Sequence, residues 1–348
     1  MKKRFIALLL ALTLCLGLSL PAHAASGYSD VPAGHWSEES VTRATELGLF
    51  YGLGDGSFGL GQPVTRAAFV TALVRLFGWE ETLPSKASFS DTTPDRWFYA
   101  AVETACANGA LSGAGHAFRP TDNITREEMA AMLVRGLGYT SLAGAASSYS
   151  SPFTDVTTNK GFISLAYDAG IIGGVGDGRF HPTGTATREQ AAAMLVRVYD
   201  RLYAKSSRLA SANSHSQIIV QTPKAAVGDD IPTTPLEPLA DMYNARRQMK
   251  DKGADMSRAA LRLTAGGVRT ITSGGKIISS EAVTHREIED ILAMNGVNIY
   301  YSDRYECAYC IYQPSPGQTA TVWYQSDESM EAKLQLARLF GVTRYFMA

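Results

Sequence analysis

The spacing of apolar residues predicts the same short helix three times within the first 203 residues. In each copy two small or apolar residues stand three positions apart, which places both on one face of a helix. Each helix then runs into a glycine, the residue best suited to the left-handed conformation of a helix C-cap. The three sets are Val41, Ala44 and Gly48; Val102, Ala105 and Gly109; and Ile163, Ala166 and Gly170.

A glycine-rich loop follows each of these helices. The loops are Gly54–Phe58, Gly115–Phe118 and Gly176–Phe180. Asp-Gly in the first and third loops favours a turn with positive φ, and we expect the closing phenylalanine to anchor each loop in the core. A calcium-binding loop is the alternative, but one acidic residue per loop supplies too few oxygen ligands.

A second helix follows each loop and begins at a threonine whose hydroxyl can cap free N–H groups. Thr125 and Thr187 are followed three residues later by Glu128 and Gln190, which predicts capping boxes. Thr65 meets an alanine at that position and lacks the reciprocal partner.

Short motifs recur in register and define three repeats. Asp30, Asp91 and Asp155 open them, at spacings of 61 and 64 residues. A period of this size indicates an array of similar units. We expect the arginines that close the repeats to be ordinary surface residues, because a cation near a helix C-terminus is compatible with the helix dipole. These arginines are Arg75, Arg135 and Arg197.

The pattern changes after residue 203. Residues 204–238 are rich in Ser, Ala, Thr and Pro and show neither a helical nor a strand period, so we predict a flexible linker. Residues 239–348 predict an α/β module large enough for its own core. Its expected helices are 239–252, 285–294 and 329–339, and its expected strands are 268–272, 276–280, 298–305, 308–313, 319–324 and 345–347.

Composition and charge narrow the function. The 348 residues are 45% hydrophobic and 19% charged, which is typical of globular domains and not of disorder. The net charge of −1 argues against nucleic acid as a partner. Residues 1–24 have the basic start, the apolar run and the Ala-His-Ala end of a cleaved secretory signal. No later stretch is long enough for a membrane-spanning helix, so we expect an exported protein without a membrane span.

Few residues suggest catalysis, metal binding or redox chemistry. Beyond the signal three cysteines remain, too few for a disulfide framework, and we expect Cys106 to serve packing. Cys307 and Cys310 lie in a predicted strand, where residues three apart face opposite sides, so a redox or metal pair is the less favoured alternative. The densest tail carboxylates, around Glu287, lie on a predicted exposed helix without a paired acid and nucleophile. The sequence predicts no cofactor, no metal site and no catalytic residue.

Arg66, Arg126 and Arg188 occupy the first turn of the second helices, where the helix dipole disfavours a cation. Two explanations stay open. Each arginine could form an ion pair with a neighbouring carboxylate such as the opening aspartate of a repeat. Alternatively, the guanidinium and the helix N–H groups could converge on an anionic ligand.

Trp36 and Trp97 each stand six residues after their opening aspartate, and the third repeat has Thr158 at the aligned place. An aromatic ring beside a cation can hold the face of a sugar. A single tryptophan before a helix is more often a core anchor, and we favour that interpretation.

Together these motifs resemble the surface-layer homology (SLH) domain, whose pattern has an opening Phe-x-Asp-Val, a tryptophan, a Gly-Asp-Gly-x-Phe loop and Ile-Thr-Arg-Ala-Glu. The resemblance gives repeats at 27–84, 87–143 and 151–203. It implies a mainly α fold, in which three helix-loop-helix repeats form a pseudo-trimeric bundle, followed by the small α/β module. It also implies non-covalent binding of a pyruvylated secondary cell-wall polysaccharide, a glycan associated with peptidoglycan, in grooves between repeats. Carried over by position, the ligand-binding residues are Arg66, Arg126, Arg188, Trp36, Trp97, Asp30, Asp91 and Asp155.

The repeats depart from the family pattern in three places. The first lacks the glutamate after Thr65-Arg66, the second has a shortened loop, and the third lacks the tryptophan. We expect one groove, the one that relies on the third repeat, to be weak or silent.

From about Val283 the tail is similar to the C-terminal part of family-18 glycoside hydrolases of the spore-cortex type. The similarity rests on His285–Met294, Asn298–Gln313 and Val322–Phe346, which correspond to the inserted α/β subdomain and the end of the barrel in those enzymes. The family's catalytic Asp-x-x-Asp-x-Asp-x-Glu run is absent from this sequence, and the tail is too short for an eight-stranded barrel.

Three functions therefore compete. The leading one is an exported cell-surface protein, anchored to the wall or S-layer through its repeats, that displays a non-catalytic tail. The second is a wall-attached glycoside hydrolase-like enzyme. The third, a tail that self-associates into an array, is less favoured because array subunits are usually much longer. We predict that Arg126→Ala weakens wall binding more than Arg135→Ala, by about 1.5–3 kcal/mol for a lost charge-assisted bond.

Overall fold

The computed structural model describes residues 27–112, 115–209, 217–219, 239–263, 266–302, 305 and 307–347. The predicted export signal lies outside these residues, as does most of the predicted linker.

Ten helices and nine strands lie in the described part of the chain. The helices are α1 (Glu38–Glu46), α2 (Arg66–Phe77), α3 (Tyr99–Ala107), α4 (Arg126–Gly136), α5 (Thr140–Ala146), α6 (Lys160–Asp168), α7 (Arg188–Leu202), α8 (Leu239–Asp251), α9 (His285–Leu292) and α10 (Asp327–Leu339). The strands are β1 (Ser207–Arg208), β2 (Gln217–Ile219), β3 (Ala260–Leu263), β4 (Gly267–Ser273), β5 (Lys276–Val283), β6 (Asn298–Ser302), β7 (Cys307–Tyr312), β8 (Gln318–Tyr324) and β9 (Arg344–Met347).

The predicted local signals of the repeats are confirmed. Gly48, Gly109 and Gly170 follow α1, α3 and α6 with φ of +69°, +73° and +69°. The hydroxyl of Thr65 accepts from the N–H of Ala68, and the capping box of Thr125 is present. The loop phenylalanines Phe58, Phe118 and Phe180 are buried, as expected for core anchors.

The repeats contact one another in a closed cycle. The second helix of each repeat packs against the first helix of the next: α2 on α3, α4 on α6, and α7 back on α1. Isolated backbone bridges follow the same cycle and connect Thr65 with Asn123, Thr125 with Thr185, and Pro63 with Thr187. The first and third repeats are therefore neighbours in space although they lie far apart in sequence.

The tail contains two sheets. Strands β1, β9, β3 and β2 form a parallel sheet in that order. Strands β5, β4, β8, β7 and β6 form an antiparallel sheet, and Ile288 and Ile291 of α9 share a hydrophobic cluster with its strands. The predicted helices and strands of the tail are confirmed to within a few residues at their ends, whereas β3 and α5 were not predicted.

The tail is packed against the third repeat. One continuous hydrophobic core runs from the repeats into the tail, where α10 contacts α7 and α8 contacts α5. At this junction the Asp168 carboxylate is buried. Its Oδ2 accepts from the Tyr243 hydroxyl at 2.8 Å and pairs with Arg247, and its Oδ1 lies 3.6 Å from Lys250 Nζ.

The linker prediction is wrong at two places, because β1 and β2 lie within residues 204–238. Ser207 N donates to Thr343 O, and β2 pairs with β3. Both strands are short and depend on partners more than 40 residues away, so no local period marks them in the sequence. No helix in the described part of the chain combines the length and apolarity of a bilayer span.

Candidate functional site

Each first-turn arginine reaches into the loop of the next repeat. The Nε–H groups of Arg66, Arg126 and Arg188 donate to the carbonyls of Phe118, Phe180 and Phe58, each at 2.8 Å. Each guanidinium carbon also lies over the ring of the same phenylalanine, at 5.0, 4.6 and 5.1 Å from the centroid. The arginines thus connect the three repeats in the same cycle as the helices.

The opening aspartates hold the other side of the same loop peptides. Asp30 accepts from the N–H groups of Phe58, Gly59 and Leu60 at 2.7–2.8 Å. Asp91 accepts from two N–H groups of the second loop and Asp155 from two of the third.

These contacts bear on the predicted roles of the first-turn arginines and of the opening aspartates. Among the described residues, the opening aspartates form no ion pair with the three first-turn arginines. The carboxylates of Asp30, Asp91 and Asp155 accept hydrogen bonds within their own repeats.

The helix N–H groups are also engaged, which corrects one half of the predicted anion clamp. Arg66 N donates to Asp122 O, Arg126 N to Gly184 O and Arg188 N to Gln62 O, at 2.9–3.0 Å. Loop carbonyls of the next repeat therefore satisfy the first N–H group of each helix. The first N–H group of each helix is therefore not available for an anion.

Arg126 lines an open groove of about 360 Å³, the Arg126 groove. It contains a second arginine, Arg197, from the end of α7. Its residues come from all three repeats and include no carboxylate: Trp36, Arg126, Met129, Ile171, Ile172, Gly173, Gly174, Val175, Gln190, Ala193, Met194 and Arg197.

The guanidinium of Arg126 keeps free donors on the groove side. It donates from Nε to Phe180 O and from Nη2 to Gly173 O at 2.9 Å, which leaves three of its five N–H groups. Partial burial lowers the pKa of Arg126 because desolvation penalises the charged form. A carboxylate entering the groove would therefore meet a partly desolvated cation.

Arg66 lines an equivalent but smaller groove of about 190 Å³, the Arg66 groove. Here Glu128 stands at the place that Gln190 takes in the Arg126 groove, and its Oε1 lies 2.6 Å from Arg66 Nη1 and 2.7 Å from Arg119 Nη2. The lining residues include Asn159, which follows the aligned Thr158, and no tryptophan. The charge of Arg66 is therefore compensated inside the protein, so the ion-pair explanation holds for this one arginine, with a different carboxylate.

Arg188 has equivalent surroundings in the first repeat. Its Nη2 donates to Tyr51 O at 2.8 Å, and Arg75 lies over the Tyr51 ring, 5.1 Å from the centroid. The residue equivalent to Glu128 and Gln190 is Ala68, so a carboxylate is absent at that position.

Both predicted tryptophans are on the surface. Trp36 is 57% exposed and Trp97 is 68% exposed, so the core-anchor interpretation is wrong. Trp36 lies in the Arg126 groove.

The arginines that close the repeats are not ordinary surface residues. Arg197 lines the Arg126 groove and donates to Ile171 O at 3.1 Å. Arg135 lines the Arg66 groove and lies over the Phe162 ring, 4.5 Å from the centroid. In each repeat the closing arginine stands nine residues after the first-turn arginine. This repeated spacing was the sequence signal that could have predicted a place in the grooves.

In the described part of the tail, the two cysteines and Glu287 do not form a common site. Cys307 and Cys310 are both buried and point to opposite faces of β7, as predicted. Burial raises the pKa of Cys310 to about 11. Glu287 caps α9, and its pKa is lowered by the Thr284 N–H and hydroxyl, opposite to what a general acid needs.

Comparison with known proteins identifies the repeats. Residues 27–70, 88–130 and 152–192 each match the S-layer homology domain. The chain is 28% identical over 217 residues to the S-layer protein sap of Bacillus anthracis, which covers 61% of this chain and 26% of that protein. It is 30% identical over 221 residues to an endoglucanase of Bacillus sp. (strain KSM-635), which covers 58% and 23%.

The chain spans about a quarter of the length of these relatives. Its three segments that match the S-layer homology domain, together with its similarity to S-layer proteins, indicate a location at the cell surface. Such domains in general bind cell-wall polysaccharide.

Solved structures similar to this chain include the spore cortex-lytic enzyme SleL of Bacillus cereus, with a TM-score of 0.30, 15% identity and coverage of 37% of this chain and 30% of that one. They also include a chitinase from Chromobacterium violaceum, with a TM-score of 0.31, 14% identity and coverage of 38% and 39%. At these TM-scores the likeness carries no argument about the tail.

Proposed function

We propose that this protein is exported and fastened non-covalently to a pyruvylated secondary cell-wall polysaccharide through grooves between its three repeats. In this proposal the repeats form a pseudo-trimeric bundle, and the tail is displayed at the cell surface without a catalytic role. The Arg126 groove is the main binding site.

One observation supports this choice above the others: the Arg126 groove brings two arginines and an exposed tryptophan together without a carboxylate among its lining residues. A pyruvyl ketal adds a carboxylate to a sugar. Guanidinium groups bind carboxylates through charge-assisted hydrogen bonds, and the indole of Trp36 offers an apolar face for the sugar ring.

The three grooves are expected to be unequal. The Arg66 groove is smaller, lacks the tryptophan and has its arginine paired with Glu128. The third repeat contributes Asn159 to its lining, next to the aligned Thr158, and no tryptophan, which supports the expectation that this groove is weak. By the same cyclic order we expect Trp97 to lie near Arg188.

The alternative, a wall-attached hydrolase, has less support from the site geometry. A glycoside hydrolase needs two carboxyl groups beside one cleft, one with a raised pKa. In the described tail, Glu287 has a lowered pKa and caps a helix, while Glu281 pairs with Arg269. The non-catalytic tail remains a proposal, which the release of reducing sugar from wall glycan would test.

The main test measures binding of the full chain to purified wall polysaccharide before and after mild acid removal of its ketal pyruvate. Arg197→Gln and Trp36→Ala change groove residues whose side chains lie outside the cross-repeat contacts to the loop phenylalanines. We expect each to weaken binding at least fivefold, and depyruvylated glycan to bind as weakly as the variants do.

Arg286→Gln is the matched control, because it removes one exposed arginine from the tail. Equal losses for Arg197→Gln and Arg286→Gln would mean that net charge, and not the groove, causes binding. Unchanged affinity for depyruvylated glycan would overturn the proposed ligand and leave the groove itself in place.

A further inference from the structure

The antiparallel sheet of the tail ends at β6, whose outer edge faces no other strand in the described part of the chain. Among the described residues β6 pairs only with β7. Its five residues, Asn298–Ser302, include no charge, proline or glycine, and both Ile299 and Tyr300 are exposed, at 59% and 45%. Natural proteins usually protect such edges, since unpaired N–H and C=O groups bind another strand readily.

The opposite edge of the same sheet shows the usual protection. Strand β5 carries Lys276 and Glu281, both exposed, and its pairing with β4 is interrupted by an irregularity next to Thr272. Charged side chains and bulges are common ways to prevent edge pairing. The absence of both on β6 is therefore specific to one edge.

Aromatic residues form a ladder that stops at this edge. Tyr300, Tyr309 and Trp323 lie opposite one another on β6, β7 and β8, on one face of the sheet. The ring centroids are 5.1 Å apart between Tyr300 and Tyr309 and 4.5 Å apart between Tyr309 and Trp323. Cross-strand aromatic pairs stabilise a sheet, and Tyr300, the last ring of the ladder, is 45% exposed.

We propose that β6 is a docking edge for a second copy of this chain. Antiparallel pairing about a twofold axis through Tyr300 sets Tyr300 against its own copy, Ile299 against Tyr301, and Asn298 against Ser302. The first pair brings two aromatic rings together, the second an aliphatic side chain and an aromatic ring, and the third two polar side chains. None of the pairs brings like charges together. The ladder then continues through both copies as six rings.

The contact is small, so it is weak in solution. Five residues on each side bury far less than the roughly 1,200 Å² of a stable complex, and we expect dimers only above about 100 μM. Anchored copies would lie at a high effective concentration, where a weak contact is sufficient. This last step depends on the proposed anchoring, whereas the pairing in solution does not.

Sedimentation equilibrium of the exported chain, from 10 μM to 1 mM, measures the association. We expect the average mass to rise with concentration. Ile299→Lys places a charge on the β6 edge and should lower the association constant at least tenfold, while Ile278→Lys on the β5 edge should not change it.

Disulfide trapping tests the register without altering the ladder. Because Ser302 lies opposite Cys307 on β7, the background carries both Cys106→Ser and Cys307→Ser, and the Asn298→Cys and Ser302→Cys variants are oxidised separately and mixed. Directly opposite Cβ atoms lie about 4.5–5.5 Å apart, so the mixture should give a covalent dimer that neither variant gives alone.

A constant monomer mass up to 1 mM, or equal effects of Ile299→Lys and Ile278→Lys, would overturn the docking edge. Efficient trapping of either single variant would overturn the register.

Discussion

Arg188 and Phe58, 130 residues apart, are connected twice: the Arg188 Nε–H donates to the Phe58 carbonyl at 2.8 Å, and the guanidinium carbon lies 5.1 Å from the centroid of the Phe58 ring. The N–H of Phe58 donates to Asp30 at 2.7 Å, and the N–H of Gly59, on the other side of the peptide whose carbonyl binds Arg188, donates to Asp30 at 2.8 Å. One loop residue therefore ties the opening of the first repeat to the last helix of the third. This contact gives a structural reason for a cation at an unfavourable place in the helix dipole.

Replacing Arg188 should destabilise the packing of the three repeats against one another. Arg188→Ala removes two hydrogen bonds to carbonyls, at Phe58 and Tyr51, and the cation–π contact. We expect a loss of about 2–4 kcal/mol in the free energy of unfolding, measured by urea denaturation. Arg188→Lys should recover little of it, because an ammonium cannot reproduce the planar fork.

Arg75→Ala is the matched control for this loss. Arg75 is exposed, donates one long hydrogen bond of 3.4 Å to Leu49 O and lies over the Tyr51 ring, so its removal should cost about half as much or less. Equal losses for Arg188 and Arg75 would show that the contact with the Phe58 loop has no special weight.

Replacing the neutral Gln190 by glutamate should weaken ligand binding in the Arg126 groove. Gln190 stands where Glu128 neutralises Arg66, so Gln190→Glu would supply an internal carboxylate to Arg126. We expect wall-polysaccharide affinity to fall about tenfold with little change in stability, because glutamate can also complete the capping box with Thr187. Isothermal titration calorimetry of the full chain measures the change.

The reverse exchange, Glu128→Gln, provides the comparison. It frees the charge of Arg66 and should raise affinity or leave it unchanged, while losing the ion pair. A gain in affinity for Gln190→Glu would contradict the view that an uncompensated arginine binds the ligand. These two variants also avoid the weakness of Arg126→Ala, which removes structural hydrogen bonds together with the free donors.

The repeats could be predicted from sequence because their signals are local. Glycine C-caps, threonine N-caps and the buried loop phenylalanines each act within a few residues, and all appear where expected. The partners of Arg66, Arg126 and Arg188 could not be predicted in the same way. They lie in the next repeat, and only the closed cycle of packing brings them together.

The tail shows the same limit. Strands β4 and β5, β6 and β7, and β7 and β8 form hairpins and carry a period of two, whereas β1 and β2 have two or three residues and distant partners. The exposure of Trp36 was also beyond prediction. A tryptophan before a helix is compatible with a core or a surface position, and the neighbouring repeats decide between them.

Asp168 should be the most sensitive residue at the junction between repeats and tail. Its buried carboxylate is surrounded by Tyr243, Arg247 and Lys250, and Arg246 Nη2 donates to its backbone carbonyl at 3.1 Å. Asp168→Asn would remove the buried carboxylate charge that faces Arg247, Lys250 and the buried Arg246. We expect a loss of about 3 kcal/mol in the free energy of unfolding, measured by urea denaturation.

Glu46→Gln tests whether position within the repeat accounts for that loss. Glu46 ends α1 as Asp168 ends α6, but it is exposed and pairs only with Arg43 at 3.5 Å. The change should cost less than 1 kcal/mol, as for most surface ion pairs. A comparable loss at both positions would refute the importance of the tail contact.

The loop aspartates should make stability depend on acid pH. The pKa of Asp155 is lowered because its carboxylate accepts from the N–H groups of Phe180 and His181, an effect that exceeds the opposing desolvation. A lowered folded-state pKa contributes stability above the unfolded value of about 3.9, and that contribution is lost as pH falls through the folded pKa. Asp155→Asn should therefore lower the urea midpoint at pH 7 and differ much less from the parent chain at pH 2.5.

Asp177→Asn, in the same loop but outside these hydrogen bonds, should leave both midpoints nearly unchanged. A difference between Asp155→Asn and the parent that is constant from pH 7 to pH 2.5 would show that the charge of Asp155 does not stabilise the loop.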